Sequence, residues 1–209
     1  MYIIGVTGGI ACGKSMVSNE LRKFGARIIS ADNMIHWLMK PRHEIYNSYV
    51  NHFGSDILLK NGQLNRRKIA SIVFKDKSQL EWINNETHPI LLKLIRERIV
   101  AYQRKGVSVV VLDVPLLFEA GWDKECDEVW VVYLKKSLQI KRLMERNSLT
   151  KEQAEARIGA QLSAKERLMR ADVIINNSTD KTDTRLQVKR LMERKFPHLL
   201  KKYIKYQIS

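Results

Sequence analysis

Cysteine is scarce in this chain: Cys12 and Cys126 are the only two in 209 residues, and neither stands at a metal-ligand spacing from a partner. A zinc ribbon and a disulfide framework are both excluded. Long apolar runs are missing too, since none approaches the roughly 20 residues that cross a bilayer. The start MYIIGVTGG runs straight into a strand pattern, so neither a signal peptide nor a membrane anchor is expected, and a reducing cytoplasm is the expected setting. There is no internal repeat, low-complexity tract or flexible linker. Acidic residues are few beside basic ones, 22 Asp and Glu against 37 Lys and Arg, for a formal net charge of +15. Such an excess favours anionic partners, either ligands rich in phosphate or a polynucleotide. Lys189, Arg190, Arg194, Lys195, Lys201, Lys202 and Lys205 crowd the last helices, where a solvated face is the simpler reading. With no stacking-aromatic motif, zinc ligand set or helix-turn-helix signature beside them, no nucleic-acid partner is expected. Phe196, Tyr203 and Tyr206 read as helix-packing residues.

What is present is ordinary for a globular chain, 44% hydrophobic and 28% charged, and is enough for one substantial core. YIIGV is a short β-branched strand, and a helix begins near Lys14 and ends by Gly25. ARIIS is a second strand, with Asp32 just beyond it, and Pro41 closes the helix that follows. From Arg42 to Lys105 the pattern is helical, punctuated at Gly54, Gly62 and Pro89. VSVVVLD is a continuous apolar run of the kind a central strand shows when both faces are covered. A short helical piece from Pro115 to Glu119, a strand EVWVVYL and a helix with Lys141, Arg142 and Arg146 come next. Thr150 with Gln153 and Ser163 with Glu166 have capping-box spacing, which predicts two charged helices over 150–170 that add little to a core. DVIIN is the last strand, and helix follows from Thr182 apart from a break at Pro197. Strands alternating with helices predict a parallel, doubly wound α/β sheet.

Gly8, Gly13, Lys14 and Ser15 satisfy G-x-x-x-x-G-K-[ST] between a strand and a helix, the context in which the pattern acts as a phosphate loop. Backbone N–H groups and the positive end of the helix face the phosphates, Lys14 reaches the β and γ oxygens, and the Ser15 hydroxyl is a magnesium ligand. ATP is the expected donor. Asp32 is read either as the cap of its helix or as the base that deprotonates an acceptor hydroxyl. Asp113 either holds magnesium, as a carboxylate at the end of a central strand does, or caps the turn into Pro115. Arg142, Arg146, Arg157 and Arg167 are candidates to bring guanidinium groups over the transferring phosphoryl. His88 reads as a ligand contact or a hydrogen-bonded helix-end histidine. Cys12, if exposed near the start of the loop helix, is expected to have a lowered pKa and to be open to thiol reagents unless ATP covers it.

Taken together these segments resemble one family, the dephospho-coenzyme A kinases, over nearly the whole chain. VTGGIACGKS, SADNMIH, HFG with NGQLNRRKIASIVF and THP, VPLLFE and ADVIINN resemble its signatures in order and spacing. The resemblance implies ATP-dependent, magnesium-requiring phosphorylation of the ribose 3′-hydroxyl of dephospho-coenzyme A. It implies a P-loop NTPase-type three-layer fold with a five-stranded parallel sheet, a helical substrate-binding insertion and a helical lid. The core is expected at about 1–32, 106–146 and 171–209, the substrate domain at 33–105 and the lid at 147–170. Asp32, Lys14 and Arg142 fall at catalytic positions. Gly8, Gly9, Ile10, Ala11, Cys12, Gly13, Lys14, Ser15, Met16, Arg142 and Asn177 fall at ATP-binding ones. Asp32, Arg66, His88 and Pro89 are placed at the acceptor, and Ser15 and Asp113 at the metal. Ser30, His36, Met16 and Ala11 depart from what the family often carries, aspartate, arginine, threonine and glycine respectively. A P-loop kinase for another nucleotide or small metabolite, and an ATPase that binds nucleic acid, are the competing readings.

Overall fold

The computed structural model describes residues 1–199, apart from the side chain of Phe74. Its centre is a five-stranded sheet in the order β2-β3-β1-β4-β5, formed by β1 Tyr2–Thr7, β2 Arg27–Ser30, β3 Val109–Asp113, β4 Glu128–Tyr133 and β5 Val173–Asn176. β1 lies parallel to both β3 and β4, and β4 to β5. Every residue of β3 is buried, which is why that stretch reads as an unbroken apolar run rather than an alternating one. Helices α1 Lys14–Lys23 and α9 Lys181–Lys195 pack together on the sheet through Val17 and Leu21, one helical turn apart, and Val188 and Met192. Each such side chain contributes about 1.5–3 kcal/mol by leaving water. The chain leaves β1 toward β2 and leaves β4 toward β5, so a crevice opens between the carboxyl ends of two adjacent strands, where ligands of such sheets gather.

The chain divides into two units, Met1–Ile29 with the chain from Ala101 on, and Ser30–Val100. The second unit is helical: α2 Ala31–Leu38, α3 Glu44–Phe53, α4 Arg66–Lys75 and most of α5 Lys77–Arg104. At its centre the Tyr49 hydroxyl lies 2.9 Å from Thr87 Oγ1, and the His52 ring stacks on Trp82 with centroids 3.6 Å apart. Pro89 does not punctuate this region as expected. It sits inside the 28-residue α5, where Thr87, Leu91 and Ile95 are buried along one side. That packing outweighs the one hydrogen bond that proline denies to the exposed residue Asn85.

Two further local expectations need correction. Residues 115–120 form a single turn, closed by the Ala120 N–H to Leu116 O bond of 2.9 Å, and not a helix, because Gly121 turns left-handed at φ 68°. After α6 Lys136–Asn147, both capping boxes are present, Thr150–Gln153 opening α7 Lys151–Gly159 and Ser163–Glu166 opening α8 Ala164–Met169. Against the expectation that this segment adds little to a core, Ala154 is fully buried and Arg167 is only 4% exposed. Phe196 packs edge-on against Tyr2, as a helix-packing residue should. Tyr203, Tyr206, Lys201, Lys202 and Lys205 lie outside the described residues. No helix among the described residues is long and apolar enough to cross a membrane.

Candidate active site

The loop from Gly8 to Gly13 leaves β1 and opens α1 without any side-chain cap: Gly13, at φ 94°, is the N-cap residue. The first N–H groups of α1 are therefore not taken up by a capping side chain, as anion binding at a helix start requires. Close packing dictates glycine at two positions. A Cβ at Gly8 would come within 2.7 Å of the Val132 carbonyl oxygen, and one at Gly13 would collide with the Asn177 amide. Ala11 also adopts a left-handed conformation, φ 63°, without glycine's freedom.

Lys14 forms an ion pair with Asp113, whose carboxylate ends β3 beside β1. The Asp113 Oδ1 atom is engaged by the Lys14 ammonium. Asn177, 2% exposed, donates from Nδ2 to the Cys12 carbonyl at 2.7 Å, and Thr184 Oγ1 donates to its Oδ1 at 2.9 Å. Arg142 donates to the Asn177 carbonyl at 3.4 Å. Gly8 to Met16, Asp113, Arg142 and Asn177 thus form one connected cluster. Arg146 and Arg157, raised with them in the sequence, are exposed.

Sequence reasoning missed two residues that hold this loop. Gln139 Nε2 donates to the Ile10 carbonyl at 2.7 Å, and Gln161 Oε1 accepts from the Ile10 N–H at 2.8 Å. Nothing local marks either glutamine, because Gln139 lies in α6, Gln161 lies in the connection between α7 and α8, and each finds its partner more than a hundred residues away. Cys12 overturns an expectation: it is 4% exposed, and burial pushes its thiol up despite the opposing pull of Arg167. Desolvation of the thiolate outweighs the cations, so the condition for easy thiol attack is not met.

In the helical unit Asp32 occupies the first turn of α2, but Ser30 is the cap, its Oγ accepting from the Asn33 N–H at 3.3 Å. Asp32 is exposed, and its carbonyl lies 2.6 Å from His36 Nδ1. Arg66 is exposed on α4 with a guanidinium nitrogen 3.7 Å from Met39 Sδ. His88 and Pro89 lie mid-way along α5, so the helix-end reading of His88 fails, and burial lowers the His88 pKa. The same unit contains a pocket of about 270 Å³ lined by Trp37, Arg42, His43, Lys93 and Glu97 among others.

Comparison with known proteins bears directly on this arrangement. The dephospho-CoA kinase family model matches residues 2–183, all of the helical unit and most of the other. The chain belongs to the dephospho-CoA kinase family. A dephospho-CoA kinase of Carboxydothermus hydrogenoformans is 43% identical over 192 residues, covering 92% of this chain and 93% of its own. Among solved structures, TT1252 from Thermus thermophilus superposes with a TM-score of 0.78 at 28% identity, covering 93% of this chain and 97% of that one. The dephospho-CoA kinase from Campylobacter jejuni does so with 0.69 at 30% identity, covering 92% and 96%. As a dephospho-CoA kinase family member the protein is a phosphotransferase with a P-loop kinase fold. A P-loop kinase for another nucleotide or small metabolite, and a nucleic-acid-binding ATPase, are not favoured by these relatives.

Proposed function

We propose that the protein transfers the γ-phosphoryl group of ATP to the ribose 3′-hydroxyl of dephospho-coenzyme A, giving coenzyme A and ADP. The observation that carries the donor half is the uncapped start of α1, with left-handed Gly13 and with Lys14, the first residue of α1, paired to Asp113 at the end of β3. Family membership carries the acceptor half. In this reading the loop N–H groups and Lys14 bind the β and γ phosphates, and Arg142 and Asn177 complete the nucleotide site. Asp32 accepts the proton of the 3′-hydroxyl as that oxygen attacks the γ-phosphorus; its release from capping duty by Ser30 supports the assignment. Arg66, His88 and Pro89 belong to the acceptor side, with helices of 147–170 as the lid.

Ser15, exposed, and the Asp113 carboxylate are hard oxygen donors. They suit magnesium, which takes few protein ligands and fills its shell with phosphate oxygens and water. No group of three His, Cys, Asp or Glu able to hold a metal occurs among the described residues. When bound, magnesium would neutralise charge on the phosphates. A cytoplasmic enzyme with no membrane or nucleic-acid partner completes the reading.

Coupled measurement of ADP release with dephospho-coenzyme A, AMP, dTMP or shikimate as acceptor, with and without magnesium, tests it. Turnover should require magnesium and favour dephospho-coenzyme A. Preference for any other acceptor rejects the assignment. In the same assay Lys14→Ala should lower kcat by about 100-fold or more, whereas Asp32→Asn should leave the ATP affinity intact and lower kcat about 100- to 10,000-fold. Near-normal turnover of Asp32→Asn removes it as the base.

A further inference from the structure

We propose that Arg167 is a phosphate-contacting residue of this kinase, its guanidinium completing the loop's cradle from the side of Gly9. The proposal rests on the reading that a nucleoside triphosphate occupies the loop. Arg167 is 4% exposed, and its Nη1 has no hydrogen-bond partner among the described residues. It lies directly against the loop: a Cβ at Gly9 would come within 2.8 Å of its Nη2. Guanidinium does not shed its proton, so the group is a permanent cation taken out of water at a cost of several kcal/mol. A buried cation with an unmatched donor is retained at no benefit to the empty fold, but an anion at the same place turns that cost into affinity.

The loop has supports other than Arg167. The backbone groups of Ile10, next to Gly9, are already satisfied by Gln139 and Gln161. The carboxylate nearest in sequence, Glu166, accepts from the Ser163 N–H in its capping box. α8 is itself fastened to the core on both sides, by the Leu162 N–H to Glu119 at 3.2 Å and by Arg170, which pairs with Asp123 at 3.0 Å and lies over the Phe118 ring. Arg167 is therefore presented, with α8 held against the core, to a loop that already carries the positive end of α1 and Lys14. Phosphate oxygens are the ligand this sum of charge recognises, and a guanidinium fork can grip two of them together.

Calorimetric titration of ATP, ADP and AMP into wild-type, Arg167→Met and Arg167→Lys proteins, with Tm measured on each nucleotide-free protein, tests the proposal. Arg167→Met should keep or raise the nucleotide-free Tm, because an unmatched buried charge is replaced by an apolar chain of similar length. Its ATP affinity should fall about 10- to 100-fold, and its AMP affinity less than about threefold. A lower nucleotide-free Tm with ATP affinity unchanged, or with ATP and AMP weakened equally, overturns the proposal in favour of a purely structural role. If Arg167→Met does not fold, Arg167→Lys decides: a loss of ATP affinity of about threefold or more upholds it, and no loss overturns it. Wild-type protein that binds none of the three nucleotides rejects the loop reading itself, and the proposal with it.

Discussion

Ala11 holds a left-handed backbone in the middle of the phosphate loop, φ 63°, where an L side chain costs about 1–2 kcal/mol. Glycine there relieves the strain but loses about 0.5–1 kcal/mol to its freer unfolded chain. Ala11→Gly should therefore raise the Tm of the nucleotide-free protein by about 2 °C, which differential scanning calorimetry resolves; a fall in Tm would show that the alanine methyl has a packing role. The loop was legible in the residues because glycine, lysine and serine at fixed offsets dictate its chemistry within eight positions. Asp32 was not. Whether a side chain in the first turn caps its helix or is left for chemistry depends on one torsional choice, and here Ser30 takes the capping bond.

Capping boxes are the most local devices in the chain, and both are present where their spacing predicts them. Thr150→Ala should remove about 1 kcal/mol from α7. Amide exchange in Lys151–Gly159 should accelerate about fivefold, with smaller changes in β1 and β3, as hydrogen-exchange mass spectrometry would detect. A longer element makes a pH prediction. His88, inside α5, has its pKa lowered from 6.5 by burial, which favours the neutral ring in the folded state. As pH falls through 6.5 the unfolded chain takes up a proton before the folded chain does, so this contribution is full above that pH and is lost below it. Thermal melts between about pH 7.5 and pH 5 should show a steeper loss of Tm in wild type than in His88→Gln; equal slopes would assign the loss to other groups. Pro89 shows the opposite limit on local reading. A proline signal that usually ends a helix was overridden by burial of Thr87, Leu91 and Ile95 around it.

At the scale of the molecule, the net charge of +15 concerns encounter rather than fold. Exposed Arg190 and Arg194 remain toward solvent on α9, whereas Lys195 is taken up by the buried Glu128 carboxylate at 2.7 Å. With two polyanionic substrates, kcat/KM should fall several-fold between about 0.02 M and about 0.3 M salt, with kcat changing much less. Stopped-flow or steady-state kinetics across that range checks it, and a salt-insensitive kcat/KM would mean that the basic surface does not steer substrate.

The sequence by itself determined the strands, most helices, the phosphate loop and both capping boxes, because each is specified by residues a few positions apart. Family membership was legible for the same reason, as a series of such local patterns in order. Only the tertiary structure decided that Asp113 meets Lys14 across 99 positions and that Asn177 holds the Cys12 carbonyl across 165. It alone buried Cys12 and Arg167, reversing the reactivity expected of the first and marking out the second from three arginines of similar sequence context. Burial and pairing between distant residues follow from the parallel register of the strands and the packing of α8 against the core. No window of neighbouring residues contains that information.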